Sequence, residues 1–162
     1  MKKLFFLIWV ISSVVLAQVP ESFVNVKEMI PSINLDMRYA TEHNFLGVVV
    51  DGYEAEKCYL TKEAAAALSK VQHELLQKGM SLKVYDAYRP QRAVDHFVRW
   101  AENVNDTLTR KEFYSLVDKR NLFKDGFIAH KSGHTRGSTV DLTIVELPLK
   151  EQENYVAGQE LC

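Results

Sequence analysis

What this sequence lacks narrows it first. It holds only two cysteines, Cys58 and Cys162, in 162 residues. Neither falls in a spacing that a cysteine zinc site or a disulfide framework would need. The two could pair with each other in an oxidising compartment. Cys162 is the last residue, where chains fray, and the pairing stays open. Neither sign of charge dominates: 20 Lys and Arg face 21 Asp and Glu, a net charge of −1. This excludes the basic footprint of a nucleic-acid binder and any acidic tail. There is no internal repeat, low-complexity tract or long linker. No apolar run spans a bilayer comfortably; the longest, from Leu4 to Leu16, is broken by Ser12 and Ser13.

That run is instead read as a targeting segment. Lys2 and Lys3 give it a basic start, and Val15-Leu16-Ala17 offers small residues at the positions a signal peptidase reads. Residues 1–17 are therefore expected to be a signal peptide and 18–162 a single domain, exported to the periplasm or medium. No cysteine follows Ala17, so no lipid anchor is expected, and no stable membrane anchor remains after cleavage. An apolar content of 47% and a charged content of 25% suit a folded domain with its own core. Nothing here fixes the oligomeric state.

Period and punctuation then assign elements. Phe23, Val26 and Ile30 have helix-like spacing in a short amphipathic piece between Pro20 and Pro31. Ile33, Leu35, Met37 and Tyr39 alternate with polar residues, as a half-buried strand does. Asn44 to Tyr53 is loop, punctuated by Gly47 and Asp51-Gly52. Thr61 fits a helix N-cap; Ala64, Leu68, Val71 and Leu75 share the inward face, and Gly79 ends the helix. Leu82 to Tyr88 is predicted as a strand with Leu82, Val84, Asp86 and Tyr88 on one face. Pro90 fits the first turn of a second helix, striped by Ala93, Phe97, Trp100 and Val104. Thr109-Arg110-Lys111-Glu112 has the capping-box pattern, with Phe113, Leu116 and Val117 inward. Phe127 to Ala129 reads as a short strand. Thr139 to Leu147 reads as a longer one, with Val140, Leu142 and Ile144 on its apolar face and Asp141 on its polar face. His73 reads as a solvated helix residue, and His96 as structural. The order predicts an α+β fold, a small, mainly antiparallel sheet with packed helices.

The organising stretch is Lys131 to Leu142. It sets His134 before the turn that Gly137 permits and Asp141 on a strand, so an imidazole and a carboxylate can converge, a donor pair that suits Zn²⁺. By spacing alone, such pairs are often accidental. The run from Ser132 to Asp141, however, resembles the S-x-H-x-x-G-x-x-x-D signature of the zinc D-Ala-D-Ala dipeptidases, the family of the vancomycin-resistance dipeptidases. Asp86-Ala87-Tyr88-Arg89-Pro90-Gln91-Arg92-Ala93-Val94 resembles that family's D-x-Y-R-P-x-R-A-V segment. Asn44-Phe45-Leu46-Gly47 and Asp51-Gly52-Tyr53 match its N-terminal pattern. The four segments come in the family's order, from about Ile33 to about Leu147.

The resemblance implies a zinc D,D-peptidase-like fold, with His134 and Asp141 as zinc ligands, Arg89 stabilising the transition state and Ser132 as a substrate contact. It implies hydrolysis of a small D,D-dipeptide from cell-wall metabolism. In the family, the third ligand and the general-base glutamate come from a downstream E-x-x-H. No histidine follows His134 in these 162 residues. The C-terminal part of the family domain is accordingly expected to be missing, and these residues alone to be inactive or very poor catalysts. The alternatives are a D,D-carboxypeptidase acting on peptidoglycan stems and a catalytically dead module that binds cell-wall peptides.

Overall fold

A computed structural model of the chain describes residues 19–150. The expected signal peptide and Cys162 lie outside the described residues. Strand β1 (Phe23–Asn25) runs into a one-turn helix, α1 (Val26–Met29), and then β2 (Asn34–Leu35). After a 3-10 turn at Arg38–Ala40 come β3 (Tyr59–Thr61), helix α2 (Lys62–Leu76), β4 (Met80–Asp86) and helix α3 (Gln91–Glu102). The short α4 (Arg110–Phe113), 3-10 turns at Lys119–Asn121 and Gly133–Arg136, and β5 (Asp141–Glu146) complete the order.

The strands form two small sheets. β1 pairs with β3 antiparallel; in the other sheet β4 lies between a parallel β2 and an antiparallel β5. The α+β expectation holds. One buried cluster joins α1, α2 and β4 through Val26, Ile30, Leu68, Leu75, Leu82 and Val84. A second gathers Val50, Tyr53, Phe97, Trp100, Tyr114 and Leu122 around α3. Ala40 packs against both.

Helix α2 starts as its sequence predicts: Thr61 Oγ1 accepts from the Ala64 amide. Its inward face is turned by one position, however. Ala65, Leu68, Gln72 and Leu75 are buried, whereas Val71 is 47% exposed. Gln72 can replace an apolar residue because its amide is fully used. Its Oε1 accepts from Leu82 N (2.8 Å), and its Nε2 donates to Ser81 Oγ (2.9 Å) and Ser32 O (3.2 Å). Helix α3 buries Ala93, Phe97 and Trp100 as expected, but Pro90 is its N-cap rather than its first residue, and Val104 lies exposed beyond its end.

Other expectations need correction. The strand read from Ile33 to Tyr39 pairs only at Asn34 and Leu35. The last bond, Asp36 N to Val84 O, is followed by the Arg38–Ala40 turn. The capping box does not form, because Thr109 gives its hydroxyl to Phe45 O and Glu112 faces His43. Leu116 is 99% exposed rather than inward. Residues 127–129 form no strand, and Ile128 alone of them is buried. Among the described residues the apolar face of β5 is also left open. Val140 packs on the first cluster, but Leu142 and Ile144 are exposed, since α2 lies over β4 and not over β5. β1 and β3, unread as strands, have three residues each, too few for a period of two to show.

Gly137 ties the small sheet to the loop before β5. It has φ +73°, and a Cβ there would lie 2.2 Å from Phe23 Cε1. Its carbonyl accepts from Thr61 N at 2.8 Å. Gly137→Ala should therefore lower stability by about 2–4 kcal/mol, combining a strained backbone with overpacking. Urea denaturation checks this; an unchanged midpoint would show that Phe23 yields freely.

Candidate active site

Four pieces of chain converge at the end of β4. Register with β5 is regular up to Val84↔Leu142, then shifts so that Asp86 faces Asp141. Tyr85 is the extra residue of this bulge. The loop after β4 supplies Arg89, and the Gly133–Arg136 turn supplies His134. Ser132 caps that turn, its Oγ accepting from His134 N at 3.2 Å.

His134 is buried, and its Nδ1 lies 2.9 Å from Ala87 O. A carbonyl only accepts, so Nδ1 carries the proton and Nε2 presents a lone pair. Nε2 faces Asp141 Oδ1 at 3.5 Å. Arg89 approaches the other Asp141 oxygen, Nη2 to Oδ2 at 3.4 Å, and its Nη1 lies 3.5 Å from Ser132 Oγ. The structure thus brings together all four residues singled out from the sequence: Arg89, Ser132, His134 and Asp141.

Asp86 is the residue that sequence reading left without a role. Its carboxylate is 1% exposed. Oδ1 accepts from Tyr53 Oη at 2.6 Å, and Oδ2 takes Nε (2.9 Å) and Nη2 (2.7 Å) of Arg89. The Arg89 guanidinium lies against the rings of Tyr39 (5.3 Å) and Phe97 (5.0 Å). Its charge, orientation and plane are all fixed by neighbours. The signal in the sequence was an aspartate on the same strand face as Leu82 and Val84, an apolar face where a carboxylate needs a partner.

These contacts set the local electrostatics. Burial raises the Asp86 pKa, with Arg89 and Tyr53 opposing. Burial would lower that of Arg89, but the Asp86 charge outweighs it and keeps the guanidinium protonated. The protonated form of His134 and, beside it, Arg89 hold the Asp141 carboxyl below its ordinary pKa. Burial would lower the His134 pKa, yet Asp141 and the Ala87 carbonyl turn the shift upward.

Asp86, His134 and Asp141 each place a ligand-capable atom within 4.8 Å of the others. Asp86 differs from the other two. Both its oxygens are engaged, and it meets His134 at Nδ1 (3.5 Å), away from Nε2. The open donor pair is therefore His134 Nε2 and Asp141. None of the other histidines joins the cluster among the described residues. His96 accepts from Asp51 N, His73 pairs with Gln77 on the surface, and His130 stacks on Phe123. A cavity of about 130 Å³ opens beside Asp141, walled in part by Arg38, Tyr39, Phe45 and Tyr85. Cys58 is a free, buried thiol, its pKa pushed up to about 12 by burial.

With this geometry in view, comparison with known proteins gives a consistent answer. A family model described as D-Ala-D-Ala dipeptidase, of the M15 peptidases, matches residues 20–152. A D-alanyl-D-alanine dipeptidase of Streptomyces coelicolor is 40% identical over 139 residues, covering 86% of this chain and 69% of that protein. Those of Enterococcus faecalis and Enterococcus faecium are 40% and 37% identical over 129 residues, 80% of this chain and 64% of each relative. The chain spans about two thirds of the length of these relatives.

The Tyr53–Asp86 bond carries an isolated test. Tyr53→Phe removes one donor to a buried carboxylate and should lower stability by about 2 kcal/mol. An unchanged urea midpoint would show that Arg89 alone satisfies Asp86.

Proposed function

The chain belongs to the D-Ala-D-Ala dipeptidase family of metallopeptidases, and on that premise we propose that its site hydrolyses D-alanyl-D-alanine with zinc held by His134 and Asp141. One observation carries the reading. His134 Nε2 and Asp141 Oδ1 lie 3.5 Å apart on the open side of the site. Two ligands on one tetrahedral zinc are separated by about 3.4 Å, given bonds of roughly 2.0–2.1 Å. The imidazole and carboxylate donors suit zinc.

Zinc bound there would acidify a water and polarise the scissile carbonyl. The chain's own residues supply the surroundings. Ala87 O holds the imidazole in the tautomer that leaves Nε2 free. Arg89, permanently charged and locked by Asp86, donates towards the oxygen that gains negative charge. Ser132, within reach of Arg89, is a substrate contact in this reading. Among the described residues no glutamate joins the cluster to take the water's proton. In a second reading, D-Ala-terminated peptides are bound without turnover.

Metal binding tests the ligands directly. His134→Ala and Asp141→Asn should each abolish tight zinc binding in a chelator competition, while Asp86→Asn shifts the Kd by about tenfold or less, as a partner of a ligand does. Equal losses in all three would make Asp86 a ligand. Release of D-alanine from the dipeptide and from a stem pentapeptide then separates the activities. Whatever cleavage of the dipeptide these residues support should depend on zinc and fall about 100-fold or more in Arg89→Ala. Faster cleavage of the pentapeptide would make the protein a D,D-carboxypeptidase; binding without release would favour the second reading.

Export and a substrate from peptidoglycan metabolism belong to the same proposal. It rests on Lys2, Lys3 and the apolar run that ends before Ala17. N-terminal sequencing of the exported protein should begin at Gln18; a start at Met1 would refute cleavage.

A further inference from the structure

Helix α3 has charge at both ends. Its first turn follows Arg89 at the candidate active site, and its last carries Trp100. Twelve residues at 1.5 Å each put about 18 Å of helix between the two ends. Past the last turn, Asn105, Thr107 and Arg110 meet Asp118, Lys119 and Arg120 around a cavity of about 270 Å³.

Lys119 is the unusual member of this wall. It is only 4% exposed, yet no carboxylate lies within ion-pair distance of its ammonium among the described residues. Nζ donates to Asp106 O at 2.6 Å and lies 3.6 Å from the centre of the Trp100 ring. Asp106 O also accepts from Tyr114 Oη, at 3.4 Å, which helps to fix it. A carbonyl dipole and a ring face stabilise a cation, but neither cancels its charge. A buried charge is costly unless it is paired. Burial accordingly lowers the Lys119 pKa, with Asp106 opposing.

The neighbours do not supply the missing anion. Asp118 is taken up by Arg120, whose Nε (3.0 Å) and Nη2 (2.6 Å) hold its two oxygens and keep its carboxyl well below the usual range. The Arg110 guanidinium, the Asn105 amide and the Thr107 hydroxyl have no hydrogen-bond partner among the described residues. The ionised residues that line the cavity leave two positive charges, and Asp106, the carboxylate that acts on Lys119, reduces this to one. Glu102, exposed at the end of α3, and Glu112, engaged by His43, pair with none of these cations.

The donor set indicates which anion fits. A guanidinium, an ammonium, an amide and a hydroxyl together offer more donors than the two oxygens of a carboxylate need, and suit a tetrahedral oxyanion. The volume equals the share of about nine water molecules and lies below the roughly 300–1,000 Å³ of a drug-sized site. It admits a phosphate group and the beginning of its ester substituent.

We propose that Arg110 and Lys119, with Asn105 and Thr107, bind a phosphate group at the end of α3 opposite the candidate active site. The assignment does not depend on the hydrolytic reading.

The test is a titration of the full chain with inorganic phosphate at constant ionic strength, followed by amide chemical shifts. The amides of Asn105, Thr107, Lys119 and Arg120 should shift together and saturate. Arg110→Gln, a change at an exposed side chain, should weaken the apparent Kd about 10- to 100-fold, the range of a hydrogen bond to a charged group. Lys119→Met should abolish saturation; where losing the bond to Asp106 O unfolds that variant, Arg110→Gln carries the test alone. Shifts that never saturate, shifts confined to residues around His134 and Asp141, or an unchanged Kd in Arg110→Gln would each overturn the assignment. Glycerol phosphate and phosphatidylglycerol vesicles then identify the source. Vesicle co-sedimentation that Arg110→Gln abolishes supports the site as one for a lipid headgroup. Saturable glycerol phosphate binding without co-sedimentation supports it as one for a soluble phosphate ester.

Discussion

A carboxylate shut away from water sets the terms for this site. Asp86 sits at the end of a strand buried on both faces, and its charge is tolerable only because Arg89 and Tyr53 surround it. The dependence is mutual. Arg89 is itself largely buried, and without Asp86 its guanidinium, set against two aromatic rings, would keep only the longer contact to the exposed Asp141. Tyr53 reaches Asp86 from the cluster around α3, and Ala87 belongs to the cluster under α2. The charged pair thus stands where the two cores meet, and its geometry depends on how they dock.

The same pair explains why a turn residue and a strand residue become partners. Arg89 N donates to His134 O, and Arg89 Nη2 touches Asp141. The His134 ring is fixed on one side by Ala87, next in the chain to Asp86. A small set of buried bonds therefore fixes two donors that are seven residues apart along the chain, with Gly137 turning the backbone between them. Rigidity of this kind is what a preorganised site requires.

Much of this was legible in the sequence. Helices α2 and α3 announce themselves through caps and apolar stripes, because such signals are local. The convergence of His134, Asp141 and Arg89 followed from motif order. Less was legible where the decisive partner is remote. Gln72 looks like a surface residue until Leu82 N and Ser81 are seen against it. Thr109 and Glu112 carry a capping pattern, yet Phe45 and His43, more than sixty positions earlier, claim both side chains. Asp86 was visible within a motif, but its role needed Tyr53, thirty-three positions away. The alternation along β5 identified a strand, and could not reveal that among the described residues no helix packs over it.

Among the described residues β5 pairs only with β4, so its far edge offers backbone donors and acceptors beside the exposed Leu142 and Ile144. Such edges recruit other strands. Asp141 is the first residue of β5, so any strand that docked there would run about 4.8 Å from it. Whatever shields that edge would therefore also shape the mouth of the cavity.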